Sequence, residues 1–217
     1  MYLCKNLWVL GFILAVAITT TPGCAPPFSD LQSAKLVGMG NIEITPSVSD
    51  VSESDRYLEY EVQSETGLQV AYGLSKRIDA RLRYGRIISG FERGSKVRWH
   101  VYAAGIKYGL LKDKLAIYVP VGFNSGADIG DDANTWEVHP TVLYTFDVDD
   151  GFELNPSFKC MLPLNHERTD IWYAYNLGLG LSLNPDKWVL RPEIGYRFSP
   201  SSETGNSHIS LGLSVYP

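Results

Sequence analysis

The chain has 217 residues, 45% of them hydrophobic and 20% charged, with a formal net charge of −5. That hydrophobic share excludes a disordered chain, and 24 Asp plus Glu against 19 Lys plus Arg leaves no basic footprint for a nucleic-acid backbone. A mean hydropathy of −0.07 is that of a soluble protein, yet an average is blind to apolar residues sorted onto one side of a sheet.

Leu7 to Ile18 is the one long apolar run, preceded by Lys5. Its dozen residues fall short of the ~20 that a membrane-spanning helix needs, but they fit the apolar core of a secretory signal. Residues 1–23 are therefore expected to be removed on export. The stretch Thr21-Pro22-Gly23-Cys24 resembles a bacterial lipobox. Gly23 and Cys24 fit it and Thr21 and Pro22 depart from it, so lipidation of Cys24 stands beside ordinary cleavage nearby. Cys4 would leave with the signal and Cys24 would be acylated, stranding Cys160 and leaving no disulfide framework. Between Phe158 and Leu162 at period two, Cys160 reads as a small packing residue. Residues 24–38 form an N-terminal extension, and 39–217 the main domain.

Beyond Asp30 no stretch has sustained helical periodicity, whereas segment after segment alternates apolar with polar or small residues between Gly, Asn, Asp and Pro. About ten strands follow, near 40–49, 60–74, 77–89, 95–110, 114–124, 134–147, 151–164, 169–184, 187–199 and 206–216. The clearest sets Tyr173, Tyr175, Leu177, Leu179 and Leu181 against Trp172, Ala174, Asn176, Gly178 and Gly180. Tight turns are expected at Ser75-Lys76, Lys112-Asp113, Asp149-Asp150 and Pro185-Asp186, and longer polar loops at 50–55, 90–95, 126–134 and 200–205. Short turns at one end and longer loops at the other predict an all-β fold, an antiparallel up-and-down transmembrane β-barrel.

A soluble lipocalin-like barrel alternates too, with its apolar side inward. Three features favour the membrane form. Charges share their face with Gly, Ala and Ser, which suits a crowded lumen. Aromatic residues such as Tyr72, Trp136, Tyr173 and Trp188 recur near strand ends on the apolar face, as interfacial girdles do. Strands of about ten residues, tilted ~45°, cross a ~25 Å apolar band. Turning the third strand over would put Asp79, Arg81 and Arg83 in lipid, at ~2–4 kcal/mol for each Arg near the midplane.

The inward face therefore carries Glu43, Glu65, Asp79, Arg81, Arg83, Lys107, Glu137, Glu153, Lys159, Arg191, Glu193 and Arg197. Six acids meet six bases, and buried charges need partners. About ten strands leave little room beyond this filling, so an ionic plug is favoured over a narrow selective pathway.

Gly40-Asn41-Ile42-Glu43-Ile44-Thr45-Pro46, Gly67-Leu68-Gln69-Val70-Ala71-Tyr72-Gly73-Leu74, Leu82-Arg83-Tyr84, Leu115-Ala116-Ile117-Tyr118-Val119-Pro120-Val121-Gly122, and Trp188 with Arg191-Pro192-Glu193-Ile194-Gly195-Tyr196 resemble a family of small bacterial outer-membrane β-barrel proteins. The resemblance covers nearly the whole exported chain. It implies an outer-membrane location, with membrane lipid and the barrel-assembly machinery as partners and a monomeric state, and it names no substrate. One departure is the end Val215-Tyr216-Pro217, where many such barrels close on a terminal aromatic residue.

His100, His139, His166 and His208 are dispersed, with no HxH, HExxH or CxxC spacing, so no metal site and no cofactor is expected. His208 and Ser210 share a strand face and resemble the histidine and serine of outer-membrane lipid A deacylases. Facing the lumen, they read better as a satisfied polar pair, as does His139 beside Glu137. Asp128, Asp131 and Asp132 lack EF-hand spacing and read as a solvated loop. Arg81 and Arg83 could bind an anion, but same-face carboxylates make ion pairs the default. The expected function is that of a non-enzymatic outer-membrane barrel with a structural, adhesive or minor, porin-like transport role. A soluble carrier tethered through Cys24 and an outer-membrane lipid hydrolase are the alternatives.

Overall fold

The computed structural model describes residues 29–54, 59–90, 96–126, 135–164, 171–201 and 205–217. The signal segment, Cys24, the loop aspartates at 128, 131 and 132, and His166 lie outside them. Twelve strand segments follow in order: β1 (Ile42–Ser54), β2 (Glu59–Gly73), β3 (Ile78–Gly90), β4 (Lys96–Leu111), β5 (Leu115–Ser125), β6 (Trp136–Val138), β7 (Thr141–Tyr144), β8 (Phe146–Asp149), β9 (Phe152–Pro163), β10 (Trp172–Leu181), β11 (Trp188–Phe198) and β12 (Gly205–Val215).

Each strand pairs antiparallel with its neighbours in sequence, and β12 returns to pair with β1, so the sheet closes. Closure removes the free edges that lipid cannot hydrate. β6, β7 and β8 are successive pieces of one interrupted strand between β5 and β9, and the barrel is ten-stranded. The sequence reads this stretch as one run, 134–147. Pro140 breaks it, because proline has no N–H for the ladder; the chain bridges the gap with His139 N–H to Pro120 O and Cys160 N–H to Pro140 O. A second correction concerns β1. It runs to Ser54, beyond the expected 49, because residues 50–54 keep their register with β12 and stay paired with β2 across a register shift between Val51 and Ser52.

From His208 on, β12 alternates without a break: His208, Ser210, Gly212 and Ser214 are buried, and Ile209, Leu211, Leu213 and Val215 are exposed. The outside is a largely apolar wall including Leu82, which is 61% exposed, Ile106, Ile194 and Ile209, with Tyr72 and Trp136 exposed near strand ends. The inside is mostly polar. At its loop end small apolar clusters cap it, Ile87, Trp99 and Val101 on one side and Val51, Met161 and Ala174 on the other. This sorting is the inverse of a soluble carrier, whose apolar residues point inward.

Residues 29–37 belong to no strand and lie inside. Ser29, Asp30, Leu31, Gln32, Ser33 and Ala34 are buried, and the segment descends the lumen to the short-turn end before β1 begins. There Met39 bridges Gly73 in a parallel pair. A Cβ on Gly73 would fall 1.8 Å from the carbonyl oxygen of Gly38, so only glycine lets the two backbones meet.

Candidate functional site: the occupied lumen

Ten of the twelve inward charges divide into two sets. One set pairs with itself. Arg81 donates to Glu43 at 2.6 Å, and Arg191 Nη2 lies 3.5 Å from the other oxygen of Glu43. That oxygen also accepts from the hydroxyls of Ser214 and Tyr216. Arg83 pairs with Glu65 at 3.0 Å. These pairs tie together four strands, β1, β2, β3 and β11, and a buried charge that loses its partner costs ~3–5 kcal/mol.

The second set binds the inner segment. Glu193 accepts the backbone N–H of Asp30 at 2.7 Å and of Leu31 at 2.8 Å, one on each oxygen. Lys159 meets the Asp30 carboxylate at 2.8 Å, and the other oxygen of that carboxylate accepts from Ser157 at 2.5 Å and Asn176 at 2.7 Å. Lys107, wholly buried, donates to the carbonyls of Ser33 at 2.9 Å and Lys35 at 2.5 Å. Asp79 accepts the Val37 N–H at 3.0 Å, and Glu153 meets Lys35 at 2.8 Å. Arg83 also donates to Ser29 through its carbonyl and hydroxyl.

Asp79 and Lys107 are direct cross-strand partners, the kind of pair expected to neutralise itself. Each instead turns to a backbone group of the segment. An extended chain offers unpaired N–H and C=O groups that must be satisfied when buried, and the strand charges supply the partners. Gly180 leaves room for one of these carboxylates: a Cβ there would sit 2.9 Å from Glu153.

Two of the twelve stand apart from both sets. Glu137 lies 2.7 Å from the imidazole of His139. Arg197 donates to Asn206 and lies over the Trp172 ring, 4.5 Å from its centroid. At the short-turn rim Lys35 also bridges Asp147 at 2.6 Å. Partial burial pulls the Lys35 pKa down, but the two carboxylates outweigh it and raise the pKa above the ordinary lysine value. His208 places one ring nitrogen 2.7 Å from the Ser210 hydroxyl and the other 3.0 Å from the Asn176 side-chain oxygen, with Glu193 at 3.8 Å. Ser210 donates onward to Ser49 at 2.7 Å. Both residues are buried against the lumen wall, so these contacts form part of the polar filling and are not open to the bilayer.

The inner segment escapes sequence reading because Ser29 to Lys35 lacks both the period of a strand and that of a helix. No local pattern in it signals that it is buried.

No family model matches the chain, and no curated protein matches its sequence. Among solved structures, an outer-membrane channel from Pseudomonas putida F1 is similar at 11% identity and a TM-score of 0.54, over 88% of this chain and 100% of that one. The translocator domain of the autotransporter NalP from Neisseria meningitidis matches at 10% identity and a TM-score of 0.47, over 81% and 88%. The outer-membrane protease OmpT from Escherichia coli matches at 12% and 0.46, over 82% and 97%. At these identities the likeness is one of fold. A closed antiparallel sheet, an apolar outer wall and a charged interior make this chain an outer-membrane β-barrel.

Proposed function

We propose that this protein is a closed barrel that serves as a membrane-anchored scaffold and does not conduct solutes at rest. The observation that supports it is the inner segment: residues 29–37 occupy the lumen, and their backbone is bound by strand charges from β3, β4 and β11 and by the Gln69 amide from β2. A path for solute would have to break several charge-assisted hydrogen bonds, each worth ~1.5–3 kcal/mol. With the interior sealed, what remains for function is the outer wall and the loop end, which fits a structural or adhesive role.

Single-channel recording on the purified full chain tests this. The expected result is a silent bilayer, with stepwise conductance in a variant lacking residues 29–37 that still shows the heat-modifiable gel migration of a folded barrel. Steady conductance by the full chain, of the kind the name of the Pseudomonas channel describes, would overturn the proposal.

A further inference from the structure

The barrel wall grips residues 29–37 mainly by their backbone. The N–H groups of Asp30 and Leu31 reach the two oxygens of Glu193 at 2.7 and 2.8 Å, that of Ala34 reaches the Thr145 hydroxyl at 2.8 Å, and that of Val37 reaches Asp79 at 3.0 Å. The carbonyls of Ser29 and Asp30 accept from Arg83 at 2.6 Å and from the Gln69 amide at 3.2 Å, and Lys107 donates to those of Ser33 and Lys35. Leu31 has a φ of 50°, in the left-handed region, which turns two successive N–H groups to one side so that a single carboxylate takes both. Contacts of this kind are open to almost any sequence, since every residue but proline carries the same backbone donor and acceptor.

Side-chain recognition is concentrated at two positions. Asp30 is paired with Lys159, and Lys35 with Glu153 and Asp147. Between them the wall leaves a side chain unread: Gln32 is only 4% exposed, and its Oε1 has no hydrogen-bond partner among the described residues. A buried acceptor left so costs ~1–3 kcal/mol. Beside it lies a cavity of about 40 Å³ touched by Asp30, Gln32, Tyr118 and Pro120, which is space for a different side chain. A wall shaped for this one sequence would have satisfied Gln32. The segment joins the barrel through an exposed turn, with Met39 71% exposed and β1 beginning at Ile42, so a break at Met39 severs no strand.

We infer that the lumen is a binding site for an extended peptide bearing an aspartate and, five residues on, a lysine. Residues 29–37 are its occupant in cis, kept there by their tether at a high effective concentration, and a separate polypeptide of the same pattern binds once they are released. The inference rests on the reading of a lumen closed by residues 29–37 and names the class of ligand that this lumen takes.

The test cuts the tether. A protease site is inserted in the full chain between Met39 and Gly40, an exposed position of the kind that tolerates insertion, and the protein is cut after folding in detergent; heat-modifiable migration shows that the barrel stays folded. The cut segment is expected to stay with the barrel through gel filtration or, where it leaves, a fluorescent synthetic peptide of residues 29–37 is expected to bind in its place. In either form Gln32→Ala/Ser33→Ala should change retention less than about threefold, whereas Asp30→Ala should weaken it roughly a hundredfold or more. If the insertion blocks folding, the uncut Lys35→Ala chain, whose own segment is loosened at the rim, should take up the labelled peptide at a concentration where the unaltered chain takes up none. A folded cut barrel that loses its segment and binds no peptide, equal losses for the two variants, or no uptake by the Lys35→Ala chain would overturn the inference. Conductance of the uncut chain is read separately: a conducting chain that still binds the peptide sinks the closed-lumen reading alone, and a silent chain whose cut barrel binds none sinks this inference alone.

Discussion

Lys159 Nζ lies 2.8 Å from Asp30 Oδ1, with both side chains almost wholly buried, and this contact ties the barrel wall to a segment that belongs to no strand. The barrel is closed by hydrogen bonds between strands, but its interior is completed by a piece of chain that precedes all of them.

Asp30→Ala should therefore cost ~3–5 kcal/mol, the penalty for breaking a buried pair. A lower urea midpoint in lipid vesicles would report it. The double variant Asp30→Ala/Lys159→Met should recover part of the loss, since an apolar pair of similar volume needs no partner. An unchanged midpoint for Asp30→Ala would mean that the contact does not anchor the segment.

Glu193→Gln should loosen the segment while sparing the wall. The carboxylate accepts two backbone N–H groups; the amide keeps one acceptor and turns its N–H₂ towards a donor. Losing one such bond costs ~1–3 kcal/mol, so amide exchange at Asp30 and Leu31 should accelerate by roughly tenfold or more. Exchange along β11 and β12 should not follow, and if it does, Glu193 supports the sheet itself.

Gly73→Ala should weaken the seat of the segment at the short-turn end, because the new Cβ would meet Gly38 backbone at 1.8 Å. Gly90→Ala is the matched control, with nothing within 4 Å of its Cβ. Thermal unfolding in detergent should fall for the first and stay within ~0.5 kcal/mol for the second. Equal midpoints would show that the Gly38–Gly73 approach relaxes without cost.

Leu82→Arg places a charge on the outer wall midway along β3. It should lower stability in vesicles by ~2–4 kcal/mol and matter far less in short-chain detergent, whose thin apolar belt lets the guanidinium reach water. An equal effect in both media would argue that Leu82 does not face hydrocarbon.

The near-zero mean hydropathy is the cancellation of two opposed faces. The sequence by itself determined the strands, their number around the barrel and which face each side chain takes, because side chains alternate strictly along a strand and an inverted register would bury charges such as Arg81 and Arg83 in lipid. The pause at Pro140 was visible as a residue but not as a break, since a proline at a sheet position can be tolerated when the neighbouring backbone closes the gap. What only the tertiary structure decided is who partners whom inside. Asp79 and Lys107 stand opposite each other in register, yet both bind backbone of residues 33–37. That choice depends on a segment without periodicity entering a space whose width is set by strand count and by small residues such as Gly180. Local pattern carries the wall, because each strand position reports its own environment. The filling is set by contacts between residues far apart in sequence, 42 positions for Val37 with Asp79 and 163 for Asp30 with Glu193, and no local pattern records them.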